Sequence, residues 1–158
     1  MLEQIFPARI DNAYRGSRAA LWIFGAVVAF KGMIGINSII LGEKVATNAD
    51  GIPLETFGPQ GAQAVVSLFA IWGLAQVFLC LLCVLALVRY RAAVPLMYAV
   101  LLLEHVVRRA ILLVMPIART GSPPGLFINL ALLLVMVLGL LLSLSRRGGL
   151  PRSTEPSL

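Results

Sequence analysis

Four long apolar segments dominate the pattern of hydrophobic and polar positions, over residues 19–41, 64–88, 92–115 and 126–145. Each contains about 20 residues or more, enough for a helix rising ~1.5 Å per residue to cross roughly 30 Å of hydrocarbon. Polar, Gly-containing or Pro-containing residues separate the segments. The pattern predicts an all-α integral membrane protein, a four-helix bundle with short connections.

Composition supports this class and sets the domain organisation. Hydrophobic residues make up 59% of the chain and charged residues only 13%, and the mean hydropathy is +0.93, whereas soluble domains are roughly 45–50% apolar. We expect a leader over residues 1–18, which is too polar for a cleaved signal peptide. A single membrane domain would follow over residues 19–145, and then a disordered, Pro- and Gly-rich tail over residues 146–158.

The distribution of Lys and Arg predicts the orientation. Two cations, Lys44 and Arg119, lie in the first and third loops, whereas eight lie in the leader, the second loop and the tail: Arg9, Arg15, Arg18, Arg89, Arg91, Arg146, Arg147 and Arg152. The positive-inside rule then predicts cytoplasmic termini in a multi-pass protein of the bacterial inner (plasma) membrane. The net charge of +6 is accounted for by topology and contact with anionic membrane lipids, so nucleic-acid binding is not expected.

The third apolar segment contains ionisable residues that are costly in a bilayer. Glu104, His105, Arg108 and Arg109 lie within LLLEHVVRRAILLV, residues 101–114. A charge near the bilayer centre costs roughly 2.5–3.5 kcal/mol on insertion scales, and such groups usually face a protein interior and mark a site. This helix is therefore the first place to look for function.

Polar residues of the other segments fall at matching depths. At ~1.5 Å per residue from the cytoplasmic ends, Lys31, Gln76 and Glu104 lie roughly 17–18 Å deep, with His105 at the same level. A second tier, roughly 23–27 Å deep by the same rise, contains Asn37, Arg108, Arg109 and Asn129. Polar and small residues form stripes at helical spacing, such as Gly73, Gln76, Cys80 and Cys83 on the second segment, and we expect these stripes to face inward.

These residues form the predicted site. Glu104 and His105 are the candidates for catalysis by proton exchange, and the candidates for ligand binding are Lys31, Asn37, Gln76, Arg108, Arg109 and Asn129. The excess of positive charge favours an anionic or electron-rich head group. Two other interpretations stay open: a purely structural ion pair of Glu104 with Arg108 or Lys31, and arginines that snorkel to the outer head groups.

Other chemistry is weakly supported. Cys80 and Cys83 form a C-x-x-C, but they lie in an apolar stretch without further Cys or His, so we interpret them as small core residues and predict neither a metal site nor a cofactor. The first loop, residues 42–61, carries a net charge of −2 and is long enough to fold over the bundle. It is either a lid or a mobile surface loop.

Several features together resemble the DoxX-like family of small bacterial four-helix membrane proteins. They are Arg18 before a first segment containing FKGMIG at Phe30–Gly35, a Gly-bearing second segment, RYRAAVPL at residues 89–96, and a charged third segment. The resemblance implies an inner-membrane four-helix bundle, and some members are linked to quinone-coupled sulfur oxidation or to membrane complexes. A looser likeness to the EXPERA group implies acidic residues that face an apolar ligand inside the bundle.

Two functions are compatible with these observations. The first is binding, with or without proton transfer, of a lipid, quinone or isoprenoid-like molecule in an intramembrane polar pocket. The second is an accessory or assembly subunit of a larger membrane complex, whose ion pairs only specify packing. The expected partners are membrane lipids, a hydrophobic small molecule, and a membrane-protein partner or a second copy of the chain. Whether the protein is an enzyme is left undecided.

Overall fold

The computed structural model describes Ile5 and residues 11–145, and within this part of the chain the regular structure is entirely helical. Four long helices are present: α1 (Arg18–Ile40), α2 (Pro59–Arg89), α3 (Val94–Val114) and α4 (Pro124–Leu144). The predicted tail and most of the predicted leader lie outside the described residues. The all-α class is thus confirmed for the described residues.

The helix ends follow local chemistry rather than hydropathy. Ser17 caps α1 by accepting a hydrogen bond from the Ala19 amide at 3.3 Å. Helix α2 begins at Pro59, five residues before the apolar segment begins, since proline is well suited to the first turn of a helix. Tyr90 and one 3₁₀ turn, Arg91–Ala93, join α2 to α3. Hydropathy locates the part of a helix that lipid can cover, whereas the helix itself continues into polar sequence.

Three of the four helices, α1, α2 and α4, are long and apolar enough to cross a membrane. These three helices indicate a multi-pass membrane protein. Helix α3 differs because Glu104, Arg108 and Arg109 lie within its 21 residues. Large apolar side chains are exposed on the surface, among them Trp22 at 82% and Val114 at 81%. Lipid contact would account for an exposed apolar surface of this extent.

Helix α1 has the most extensive packing of the four long helices. It packs most extensively on α2 and also along α4, while α3 packs mainly on α4 and only sparsely on α2. Helices α1 and α2 cross at Gly35 and Gly73, where a Cβ added to Gly35 would lie 2.9 Å from the Gly73 carbonyl oxygen. Small residues permit this close approach of two backbones. The sparse α2–α3 contact leaves a crevice between these two helices.

The connections divide the molecule into two ends. At one end, which we call the terminal end, the Ala92 amide donates to the Asp11 carbonyl and the Ser17 amide to the Leu142 carbonyl, each at 3.2 Å. The terminal end therefore comprises residues 11–17, the α2–α3 link and the C-terminal end of α4. The opposite end, the loop end, comprises the first and third loops, where the Thr120 amide donates to the Gly51 carbonyl at 2.8 Å.

The first loop is folded over the loop end of α2. It contains three short helical turns, Gly42–Lys44, a π-type turn Val45–Ala49 and a 3₁₀ turn Leu54–Thr56. Ala46, Ile52 and Leu54 are buried in a small core with α2 residues that include Val65 and Phe69. These apolar contacts bring the loop's polar residues next to the helices that carry the predicted site.

Candidate functional site

An ion-paired cluster joins α1 to α3. The Lys31 ammonium lies 3.0 Å from Glu104 Oε2, and Arg108 Nε lies 3.3 Å from Glu104 Oε1. Lys31 is only 3% exposed, whereas Glu104 and Arg108 are 27% and 29% exposed. Glu104 and Arg108 meet because they are four residues apart on one helix face. The equal depth predicted for Lys31 and Glu104 is thus realised as a direct contact.

Arg108 extends this cluster to α4 and α2. Its Nη2 donates to Asn129 Oδ1 at 3.1 Å, and the Asn129 amide nitrogen donates to the Gly125 carbonyl at 2.7 Å. The guanidinium carbon lies 5.2 Å from the centre of the Trp72 ring, within cation–π distance. Nε is buried and makes no aligned hydrogen bond to the described residues, so its contact with Glu104 is an ion pair only.

His105, the second of the two candidates for catalysis on α3, is 2% exposed. Its Nδ1 lies 3.4 Å from Arg108 Nη2. Because a guanidinium can only donate, Nδ1 must accept in this contact, which assigns the ring proton to Nε2 in the neutral imidazole. His105 therefore supports the orientation of Arg108.

A small cavity of about 150 Å³, lined by both polar and apolar residues, lies beside the ion-paired cluster. We call it the inner cavity. Its polar lining residues come from all four long helices and the first loop: Lys31, Asn37, Asp50, Gln76, Arg108 and Asn129. Gln76 is buried, and among the described residues its amide nitrogen has only the weak acceptor Cys80 Sγ, at 3.7 Å, as a partner. The inner cavity therefore contains polar groups with spare hydrogen-bonding capacity.

A larger cavity of about 430 Å³ occupies the crevice between α2 and α3 at the loop end. We call it the outer cavity. Most of its lining is apolar and comes from α2, α3 and the two loops, including Val65, Leu68, Phe69, Leu112 and Ile117. Its charged lining residues are Asp50, Arg108, Arg109 and Arg119. This volume falls within the ~300–1,000 Å³ typical of small-molecule sites.

The two cavities share a wall. Asp50, Trp72, Arg108 and Asn129 line both of them. Together they form a space that is polar near Lys31 and Gln76 and apolar near Leu68 and Leu112. An amphiphile, with one polar and one apolar end, matches such a gradient.

The predicted site residues divide into two groups. The six predicted ligand-binding residues all line a cavity: Lys31, Asn37 and Gln76 the inner one, Arg109 the outer one, and Arg108 and Asn129 both. The two candidates for catalysis, Glu104 and His105, line neither of these cavities. They contact Lys31 and Arg108 instead, so in this structure they position cavity residues.

Three cavity residues were missed by reasoning from the sequence. Trp72 lies four residues before Gln76, on the same helix face, but it was not singled out. Arg119 was counted only for topology, and Asp50 only in the charge of the first loop. Helical spacing could have indicated Trp72, whereas the positions of Asp50 and Arg119 depend on how two loops fold.

Asp50 is the acidic residue among the charged groups of the outer cavity. Burial raises the pKa of its carboxyl above the ordinary value for aspartate, and the nearby positive charges of Arg119 and Arg108 partly oppose this rise. A Cβ added to Gly125 would lie 2.9 Å from Asp50 Oδ1, so the carboxylate lies against the start of α4. Asp50 thus supplies a partly buried counter-charge to the arginines.

The arrangement is suited to binding a polar head group next to an apolar chain. Cys80 and Cys83 are free and buried. Among the described residues, no group of three His, Cys, Asp or Glu side chains could hold a metal ion. No family model, curated protein or solved structure matches the chain, so the functional argument rests on this geometry.

Proposed function

We propose that this protein is a four-span inner-membrane protein that binds an amphiphile, a lipid, quinone or isoprenoid-like molecule, in the joined inner and outer cavities. The carrying observation is the shared wall at Arg108 and Trp72, where polar and charged groups meet a mainly apolar lining. The crevice between α2 and α3 provides a lateral route for an apolar chain, since Leu68, at its edge, is 65% exposed.

Inclusion of α3 as a fourth span is supported by its contacts. At 21 residues it equals α4 in length, and it packs along α4. Glu104 and Arg108 are paired with each other, and Lys31 and Asn129 are their partners on neighbouring helices. Pairing lowers the cost of charges within a membrane. The DoxX-like resemblance is likewise a proposal, and it rests on the sequence features named above.

We confine the proposal to binding, because Glu104 and His105 contact other side chains and do not line either cavity. The alternative function is an accessory or assembly subunit of a membrane complex. The observation that favours it is the Lys31–Glu104–Arg108 cluster, whose charges are already paired within the chain. A purely structural role would need no ligand in the cavities.

Tryptophan fluorescence tests the proposal. The protein has two tryptophans: Trp72 lines both cavities, whereas Trp22 is 82% exposed and lies elsewhere on the molecule. In a Trp22→Phe variant, a brominated amphiphile added to detergent-solubilised protein should quench Trp72 saturably. In a Trp72→Phe variant, Trp22 should show only the gradual quenching expected from the surrounding micelle.

A cavity-filling variant provides the second arm of this experiment. Val65→Phe adds bulk to the lining of the outer cavity and should weaken saturable quenching of Trp72. Val88→Phe, at a position 66% exposed on the same helix, is the matched control and should leave it unchanged. Equal quenching in both variants, or no saturable quenching at all, would contradict a ligand in the cavities and favour the accessory-subunit function.

A further inference from the structure

The outer cavity has an unbalanced charge. Three arginines, Arg108, Arg109 and Arg119, line it together with one carboxylate, Asp50, which leaves two positive charges in excess. Glu104 lies outside this lining and is paired with Lys31 and Arg108. An anion that binds beside these arginines is attracted by their positive charge, and the attraction is stronger next to apolar side chains than in bulk water.

Two of the three arginines are available to a ligand. Arg108 is held by Asn129, His105 and Glu104. Arg109 is exposed, and Arg119 is half-buried. Neither makes a salt bridge or a side-chain hydrogen bond within the described part of the chain. The planar guanidinium binds carboxylate and phosphate with two parallel hydrogen bonds, a geometry that a neutral quinone or sterol does not use.

Asp50 lines the outer cavity together with Arg119 and Arg108, whose positive charges oppose the rise that burial causes in the pKa of its carboxyl. It belongs to the first loop, and the neighbouring Gly51 carbonyl accepts both the amide hydrogen bond and the hydroxyl hydrogen bond of Thr120. The same two loops therefore carry the counter-charge and one of the arginines. A ligand anion entering this cavity would compete with Asp50 for the arginines.

We propose that the ligand of this cavity carries an anionic head group, a carboxylate or a phosphate, bound between Arg109 and Arg119, and that Asp50 is the internal counter-ion it displaces. This inference rests on the proposed function and deepens it by naming the class of head group. The ligand's apolar chain occupies the crevice lined by Leu68 and Leu112. A fatty acid and an anionic phospholipid are the two sources of such a head group.

The test compares charged probes with uncharged counterparts, using saturable quenching of Trp72 in the full-length Trp22→Phe protein. The probes are a brominated fatty acid and its methyl ester, and brominated phosphatidic acid and phosphatidylcholine. Either anion should bind about tenfold more tightly than its counterpart, as expected for one charge-assisted pair worth ~1.4 kcal/mol. Preference for the fatty acid identifies the carboxylate source, and preference for phosphatidic acid the phosphate source.

Two variants that remove charges of opposite sign from the cavity lining make the test specific to this cavity. Arg119→Gln should weaken binding of the anion about tenfold, and Asp50→Asn should strengthen it severalfold by removing the competing carboxylate. Arg91→Gln removes the same charge at the terminal end and should change nothing. Weaker binding by Arg119→Gln, stronger binding by Asp50→Asn and unchanged binding by Arg91→Gln each support the inference.

The outcomes separate this inference from the proposed function. Equal affinity within both pairs of probes, the fatty acid and its methyl ester as well as phosphatidic acid and phosphatidylcholine, with no effect of Arg119→Gln, would overturn the anionic head group while leaving an amphiphile in the cavities. Weaker binding by Asp50→Asn would overturn its role as a displaced counter-ion. Absence of saturable quenching by every probe would overturn both proposals.

Discussion

Glu104 is the residue on which the charged side chains between α1 and α3 converge. It is paired with Lys31 across two helices and with Arg108 on its own helix. Buried ion pairs contribute little net stability compared with apolar packing, but loss of one partner leaves a costly unpaired charge. Here one carboxylate serves two cations, so its removal affects both, and Lys31 is more deeply buried than Arg108.

Substitution of Glu104 should therefore be destabilising. Glu104→Gln keeps the side-chain shape and removes the charge, and it should cost roughly 2–3 kcal/mol, less than the ~3–5 kcal/mol of a fully buried pair because Glu104 is partly exposed. The thermal midpoint in detergent measures the effect. Glu43→Gln, at an exposed position of the first loop, is the control. Lys31→Met combined with Glu104→Gln should recover part of the loss, and no recovery would argue against the pair.

Asp50 should make the stability depend on pH in a defined direction. A carboxyl whose pKa is higher in the folded than in the unfolded protein stabilises the fold at pH values below its unfolded pKa, which is about 3.9 for aspartate. This contribution is lost as the pH rises through the folded pKa, which burial raises here. Asp50→Asn should therefore unfold at a higher temperature than the natural protein at pH 8, and the difference should vanish toward pH 3.5. A constant difference across this range would contradict the raised pKa.

At the scale of elements, helical spacing predicted much of the packing. The stripe Gly73, Gln76, Cys80 and Cys83 on α2 is buried, and so are Lys31, Gly35 and Ser38 on α1. Spacing identifies the face of a helix that is small and polar, and that face packs inward in a bundle. Spacing does not identify which helix lies opposite, so the crevice between α2 and α3 could not be predicted.

The crossing of α1 and α2 should respond sharply to added methyl groups. Gly35→Ala and Gly73→Ala insert a Cβ against the opposite backbone, at 2.9 Å and 2.5 Å from a carbonyl oxygen. Each should lower the stability by roughly 1–3 kcal/mol, as overpacking does. Gly32→Ala, one turn away on α1, meets its nearest atom at 3.8 Å and should be neutral or stabilising through helix propensity. Thermal midpoints of the three variants check this order, and equal effects would contradict a backbone crossing at Gly35 and Gly73.

At the scale of the whole molecule, the sequence predicted the layers of polar residues but only part of the site. Lys31 and Glu104 were matched in depth because a helix has a fixed rise per residue. Loops have no such periodicity, and the contribution of Asp50 and Arg119 depends on apolar contacts such as Ile52 that fold the first loop onto α2. The positions of the polar helix residues of the site thus follow from helix geometry, whereas the positions of the charged loop residues depend on how the loops fold.

The two ends of the molecule lead to a prediction about orientation. Arg15, Arg18, Arg89 and Arg91 lie at the terminal end, and the positive-inside rule favours this end in the cytoplasm. Single cysteines on a background without Cys80 and Cys83 can report it, because Glu55 at the loop end and Arg91 at the terminal end are both exposed. In intact spheroplasts, a membrane-impermeant maleimide should label Glu55→Cys at once and Arg91→Cys only after the membrane is permeabilised. The link between α2 and α3 and the residues before α1 share one end, so the reverse labelling would place the whole molecule in the opposite orientation. Labelling of both positions without permeabilisation would contradict an arrangement in which the two ends lie on opposite sides of the membrane.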